Sequence, residues 1–413
     1  MLFFVEASTT GSGLTMLKSL TSSGRRAAFI TSKLPRYVGM SGADVLDTLS
    51  VSGRLITVPD TDEYHRPPEL GVLLDDGEPS GVIASGDRYL PYAAALAHDI
   101  GAPFLSCDAV ALLRDKRRAR ELYDELGIGG VRWADLPDQA ALLHFIDKSA
   151  GTAVIKNVRG SGSQDVIIAR SRAEAVAAWE RLSSRQRFLD GALMAEEYVE
   201  GPLVSCEVVV ADSVPIHLGC TDRQLTAPPT AVEIACTFPA AVGAEFESEM
   251  FAAVDKLVAA LKTSQGIFHS EFVLTEEGVH LIEVNARLPG TLLTYMLRDC
   301  LDGDYYGLVA DAALGKSCDP PARNGRFSSW YNVYASLAGQ ARTSSDIRAA
   351  ARYPWVTDVL GGVSSGEVVG PPEDYRGAIG QVRTVAPSAS LAYSAARAAA
   401  QRLIPELVAA GQA

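Results

Sequence analysis

No run of apolar residues in the chain is long enough to span a membrane, and the opening MLFFVEASTTGSG lacks a basic stretch followed by a long hydrophobic segment. A cytoplasmic protein without membrane partners is the expectation. The six cysteines are scattered without CxxC spacing, which argues against a zinc knuckle or a disulfide framework. HExxH does not occur among the six histidines. GxGxxG and the P-loop pattern GxxxxGK[ST] are missing as well, so neither a dinucleotide fingerprint nor a Walker-type phosphate cradle is present. Positive charge is in deficit: 37 Lys and Arg against 50 Asp and Glu leave a formal net charge of −13. That balance argues against a nucleic-acid partner, yet not against one phosphate compound in a local basic pocket.

What remains is a globular composition, 47% hydrophobic and 21% charged, in a chain of 413 residues that is too long for one ordinary core. Residues 1–110 alternate short apolar runs with helical ones (LFFVEA, RAAFIT, LITVP, GVIAS), the rhythm of βαβ units building an open parallel sheet. Gly11 and Gly13 follow the first run. They leave room for an anion at a helix N-terminus or serve only as tight-turn residues. DAVALLRDKRRARELYDELGI at 108–128 reads as one helix, capped by Asp108 and stopped at Gly129–Gly130. From about 150 the pattern turns strand-rich, and 245–262 supplies a long amphipathic helix. An α/β end that reads as separate follows from 300, closed by a helix near 388–410.

Three stretches carry chemistry. HSEFVLTEEGVHLIEVNARLPG at 269–290 reads as two antiparallel strands about a short turn. A loop at 276–278 would set Thr275 opposite Val279 and Glu271 opposite Glu283. Two carboxylates facing each other across a ladder repel, and a metal ion would relieve them. Asn285 points to the same face and completes an all-oxygen donor set of the kind Mg²⁺ prefers. A solvated hairpin face with incidental acids would look the same.

AVIKNVRGSGSQDVIIA at 153–169 places Lys156 near the end of an apolar strand, ahead of Gly160, Ser161, Gly162 and Ser163. Such a loop exposes backbone N–H donors suited to phosphate, although a plain turn has the same composition. MAEEYVEG at 194–201 precedes another strand and offers a backbone edge to a flat base, or merely surface acids at Glu196 and Glu197.

In this order the segments resemble the ATP-grasp superfamily, and in particular its carboxylate–amine ligases of the bacterial L-amino acid ligase type. The resemblance implies a mixed α/β and α+β fold: an N-terminal open parallel-sheet domain (1–110), a lid region with the linking helix and glycine loop (111–200), and a catalytic region with an added α/β portion (201–413). It implies Lys116 and Lys156 as phosphate ligands and Gly160–Ser163 as the lid loop. Glu196, Glu197 and Val199 would form the adenine hinge. Glu271, Glu283 and Asn285 would be Mg²⁺ ligands, with Mn²⁺ as a substitute, and Arg287 would lie beside the reacting carboxylate. The segment TDRQLTAPPTAVEIACTFPA (221–240) resembles a substrate-side element, with Arg223 a ligand for phosphate or substrate. Leu203 stands where many members carry a ribose-contacting acid, a role that would pass to Glu200 or Glu207. Asn157 replaces the proline that often follows the second lysine.

The activity so implied is ATP-dependent joining of a small carboxylate to an amine, at least one of them an amino acid, through an acyl phosphate. A small-molecule phosphotransferase shares most of this machinery; a nicotinamide oxidoreductase leaves the acidic hairpin unexplained. His217 and His269 fit substrate or structural roles alike, and a homodimer is left open.

Overall fold

LFFV, AAFIT and GVIA are apolar on both faces, as strands inside a covered parallel sheet must be. They form β1 (Leu2–Val5), β2 (Ala27–Thr31) and β4 (Gly81–Ala84), with β3 (Leu55–Thr57) at the edge, in the order β3-β2-β1-β4 and all parallel. The structure, a computed structural model, describes residues 1–8, 12–74, 78–160, 162, 164–184, 192–290 and 292–408. Gly11 lies outside them. Gly13 sits inside the helix Ser12–Ser22, where an added Cβ would come within 3.2 Å of Ala7, so close packing accounts for that glycine.

The helix expected over 108–128 is two helices, Cys107–Arg114 and Lys116–Glu125. Ser106, rather than Asp108, caps the first by accepting from the Ala109 N–H. Asp115 is extended, and its carboxylate accepts from the Arg117 and Arg118 N–H groups, so it ends one helix and caps the next. Lys116 therefore occupies the first residue of a helix.

A second sheet, antiparallel and in the order β5-β8-β6-β7, comprises β5 (Trp133–Leu136), β6 (Ala153–Asn157), β7 (Val166–Ala169) and β8 (Leu193–Glu196). Helices Gln139–Lys148 and Arg172–Ser183 close it over a core that includes Leu142, Ile146, Ile155, Ala175 and Leu193.

The third sheet holds eight strands in the order β13-β12-β9-β10-β11-β14-β18-β16. They are β9 (Leu203–Ala211), β10 (Val214–Leu225), β11 (Glu233–Phe238), β12 (Gly266–Thr275), β13 (Gly278–Asn285), β14 (Phe327–Val333), β16 (Val356–Gly361) and β18 (Gly380–Ala386). β14 pairs directly with β11, so the strands after residue 300 extend this sheet and do not stand apart. Short strands β15 (Gly339–Ala341), β17 (Val368–Val369) and β19 (Leu407–Val408) make a small sheet of their own, and the last helix, Ala389–Ala400, ends earlier than the sequence suggests.

Alternation gives the large sheet two faces. Val204, Cys206, Val208 and Val210 join Phe268, Phe272 and Leu281 beneath the helix Ala244–Leu261. Burying each phenylalanine contributes about 2–3 kcal/mol. The opposite face is apolar at one end, where Val209, Ile216, Leu218 and Ile267 meet helices Leu293–Cys300 and Tyr305–Ala313. Farther along the same strands it turns polar. Among the described residues no helix is long and apolar enough to cross a membrane, and all six cysteines are free thiols.

Candidate active site

β12 and β13 place Glu271 opposite Glu283, as the sequence suggests, but by a different route. At the tip Thr275 pairs with Gly278 and Leu274 with Val279, one residue tighter than expected. A bulge between Glu271 and Phe272, opposite Ile282, then adds one residue to β13 and returns the two acids to register. Two residues along, on the same face, His269 pairs with Asn285 and, on its other side, with Glu207 of β9.

Each acid of the pair is met by a cation. Lys116 Nζ lies 2.8 Å from Glu283 Oε1 and also donates to the Gly160 carbonyl at 2.6 Å. Burial works against the charge on Lys116, but Glu283 and Asp87 outweigh it and raise its pKa. Arg223 Nη1 lies 2.6 Å from Glu271 Oε1, while its Nε donates to Glu233 Oε1 at 2.7 Å. Burial opposes the ionised form of Glu271, yet Arg223 and His269 hold its carboxyl well below the usual range.

Lys156 is buried on β6, with Nζ 2.6 Å from Glu196 Oε2. Burial pushes its pKa down despite that partner. Arg120 Nε reaches Glu196 Oε1 at 2.8 Å, so one carboxylate serves two buried cations. Burial alone would raise the pKa of Glu196, and the two cations bring it to about 2. A small cavity touches Lys116, Arg120, Glu196 and Glu283 together.

Arg287 follows β13. Its Nη2 lies 2.8 Å from Asp87 Oδ2 and 3.3 Å from Asn285 Oδ1, and its Nη1 donates to the Leu288 carbonyl at 3.0 Å. Among the described residues its buried Nε has no hydrogen-bond partner. Burial and the Asp87 carboxylate act in opposite directions on Arg287, and Asp87 prevails, raising its pKa. Opposite Asn285, His269 Nδ1 lies 2.9 Å from Glu207 Oε2, and Glu207 also accepts from Ser205 at 2.8 Å and from Thr221 at 3.3 Å. Burial disfavours the imidazolium, but Glu207 overrides it and lifts the His269 pKa to about 9.

Lys116, Lys156, Gly160, Glu271, Glu283, Asn285, Arg287 and Arg223 thus line one region, between the second sheet and the polar face of the third. Ser161 and Ser163 lie outside the described residues. Gly162 does not: its φ is +64°, and an added Cβ would come within 2.9 Å of the Tyr375 ring.

The hinge residues divide. Glu196 is a central-strand residue whose carboxylate is spent on Lys156 and Arg120. Glu197 pairs with Arg132 at 2.8 Å, and its N–H donates to the Arg132 carbonyl. Val199 and Glu200 follow β8 outside any strand. Glu207 is buried inside the His269 network, which commits its carboxylate there. His217 stacks on Phe251 and bonds Asp255, a structural placement.

Two participants escaped the sequence reading. Arg120 lies four residues after Lys116, hence on the same helix face, and that spacing was the available signal. Asp87 follows β4 of a parallel sheet, at the carboxyl edge where such sheets bind ligands.

Among the described residues no group of three or more His, Cys, Asp and Glu side chains could hold a metal ion. The set here is different: two carboxylates in register, engaged by their cations through Oε1, and the Asn285 amide oxygen alongside. Hard oxygen donors of this kind fit Mg²⁺.

A family model for the ATP-grasp domain matches residues 132–291. The uncharacterized protein y4rH of Sinorhizobium fredii (strain NBRC 101917 / NGR234) is 26% identical over 332 residues, covering 80% of this chain and 67% of that protein. Among solved structures, the L-amino acid ligase from Bacillus licheniformis superposes with a TM-score of 0.76 at 18% identity, over 98% of each chain. The biotin carboxylase domain of Hydrogenobacter thermophilus 2-oxoglutarate carboxylase, in complex with MgADP, ADP and bicarbonate, gives 0.68 at 16% identity, over 98% of this chain and 90% of that one. At such identities the likeness is one of fold.

Proposed function

We propose that the chain, whose residues 132–291 match the ATP-grasp domain and whose fold is shared with an L-amino acid ligase, is an ATP-dependent carboxylate–amine ligase that forms an amide or peptide bond through an acyl phosphate, with an amino acid as one substrate. The observation that carries this reading is the position of Lys116 Nζ. It touches the glycine loop at the Gly160 carbonyl and the acidic hairpin at Glu283, so lid, cation and metal-type acids converge at one point.

In this reading a carboxylate oxygen attacks the γ-phosphorus of ATP and ADP departs. The amine nitrogen then attacks the acyl carbon, phosphate leaves, and the nitrogen gives up a proton. Lys116 and Lys156 offset the phosphate charge during transfer. Mg²⁺ held by Glu271, Glu283 and Asn285 would neutralise charge on the transferring phosphoryl group. Arg287 grips the carboxylate and then stabilises the oxyanion, and Asp87 and Asn285 hold its guanidinium for that task. The second sheet, carrying the glycine loop, covers the acyl phosphate against water.

The fold is shared with a carboxylase domain as well as with an amino acid ligase. The test is therefore a product assay: ATP, Mg²⁺ and pooled amino acids and small carboxylates, followed by nucleotide chromatography and product mass together. The ligase reading expects ADP, phosphate and a product equal to both substrates less one water. A phosphorylated product without an amide would make the protein a phosphotransferase, and AMP with pyrophosphate would overturn the acyl phosphate.

A further inference from the structure

Arg120 has no role in the reaction described so far, yet its side chain is 1% exposed and bonds at three points around the site. Nε donates to Glu196 Oε1 at 2.8 Å, Nη1 to the Leu281 carbonyl at 2.5 Å, and Nη2 to the Ile282 carbonyl at 2.8 Å. Withdrawing a guanidinium from water costs several kcal/mol unless its donors are matched, so a cation here demands an explanation that an apolar side chain would not.

The partners supply one. Leu281 and Ile282 lie at the bulge that returns Glu283 to register with Glu271, so the arginine fork holds the backbone where the hairpin is irregular. Glu196 is the carboxylate that holds Lys156 Nζ at 2.6 Å. Among the described residues Lys116, Lys156 and Arg120 share Glu196 and Glu283 as ion-pair partners, with the Asp87 carboxylate also acting on Lys116. Burial lowers the Lys156 pKa in spite of Glu196, so the charge on its Nζ gains from a further anion such as a phosphate group.

We infer that Arg120 is a positioning residue for phosphoryl transfer: through Glu196 it fixes Lys156, and through the carbonyls of Leu281 and Ile282 it fixes Glu283, so that one phosphate group meets both. This rests on the ATP-dependent reading above. Arg120 touches neither substrate nor metal in this scheme.

A double-variant cycle tests it, with calorimetric binding of a non-hydrolysable ATP analogue and Mg²⁺ to the full chain, and a thermal midpoint recorded for every variant. Arg120→Lys keeps the charge but loses the planar fork. It is expected to weaken analogue binding about tenfold in the natural background, and at most about threefold where Lys156→Gln has already removed the group it positions. Should Arg120→Lys fail to fold, Glu196→Gln replaces it in the same cycle, with the same non-additivity expected. Equal losses in both backgrounds would mean that Arg120 supports the fold alone, and would overturn the inference while leaving the nucleotide site standing. No binding of the analogue by the unaltered protein would overturn the ATP-dependent reading and this inference together.

Discussion

Glu283 is the countercharge to Lys116 and lies opposite Glu271, with which it is proposed to hold a divalent ion. Glu283→Gln keeps the size and removes the charge, so turnover is expected to fall at least about tenfold and the Mg²⁺ requirement to rise; steady-state rates across a Mg²⁺ series check this. Arg287→Lys preserves charge but not the two-pronged grip held by Asp87 and Asn285. Amide formation should lose about 3 kcal/mol of transition-state stabilisation while nucleotide affinity changes little. Equal loss of nucleotide binding would move Arg287 to the phosphates.

His269 gives a pH dependence at the same scale. Its folded pKa is raised to about 9 by Glu207 against the effect of burial. A raised pKa stabilises fully below the unfolded value, near 6.5, and that stability is lost as pH rises through about 9. In the protein without metal or nucleotide, denaturant unfolding of the wild type and of His269→Gln should differ most below about pH 6.5. The gap should narrow by roughly 3 kcal/mol by pH 9.5, at about 1.4 kcal/mol per pK unit. A gap that grows with pH would contradict the assignment.

Elements show what the sequence conveyed and what it hid. The acid pair was legible, because hairpin alternation and the TEEG turn limit the register to a few choices. The bulge opposite Ile282 was not, since nothing local marks an extra residue that Arg120, 162 positions away, secures through the Ile282 carbonyl. The helix break at Asp115 had a signal in its capping carboxylate, but the apolar spacing runs through it unbroken. Lys116 and Lys156 stand on a helix and on an apolar strand as the sequence suggests, but the countercharges, Glu283 for Lys116, Glu196 for Lys156 and Asp87 for Arg287, depend on tertiary contacts.

Among the described residues, the second sheet with its helices and loops also touches connections between strands of the third, away from the acidic hairpin. Ile168 N donates to the Pro229 carbonyl at 2.9 Å, Arg181 pairs with Glu373 at 3.2 Å, and the Tyr375 ring lies against Gly162. Gly162→Ala would set a Cβ 2.9 Å from that ring, at a φ of +64° that costs a side chain about 1–2 kcal/mol. Turnover should therefore fall. Tyr375→Ala in the same chain should recover the steric part and leave the backbone part, which initial rates of the single and double variants would separate. Full recovery, or none, would place the cost elsewhere.

At the scale of the whole molecule, the alternating runs of the first 84 residues and the strand-rich middle predicted the layers that the structure shows. The last third was harder to read. FSSWYNV gives no hint that it pairs with EIACTF and carries the large sheet onward, because partner choice in a sheet is set by packing rather than by either strand alone. That continuity brings Asn332 of β14 to the carbonyl of Glu233 at 2.9 Å, the residue whose carboxylate pairs with Arg223, so the C-terminal strands border the site.

The central claim is that a carboxylate oxygen passes to phosphorus. It is tested most directly by supplying the carboxylate substrate with ¹⁸O in both oxygens and analysing the released phosphate by mass. An acyl phosphate requires one ¹⁸O in the phosphate for each ADP formed and one retained in the amide. Unlabelled phosphate, or label carried in AMP, would contradict it.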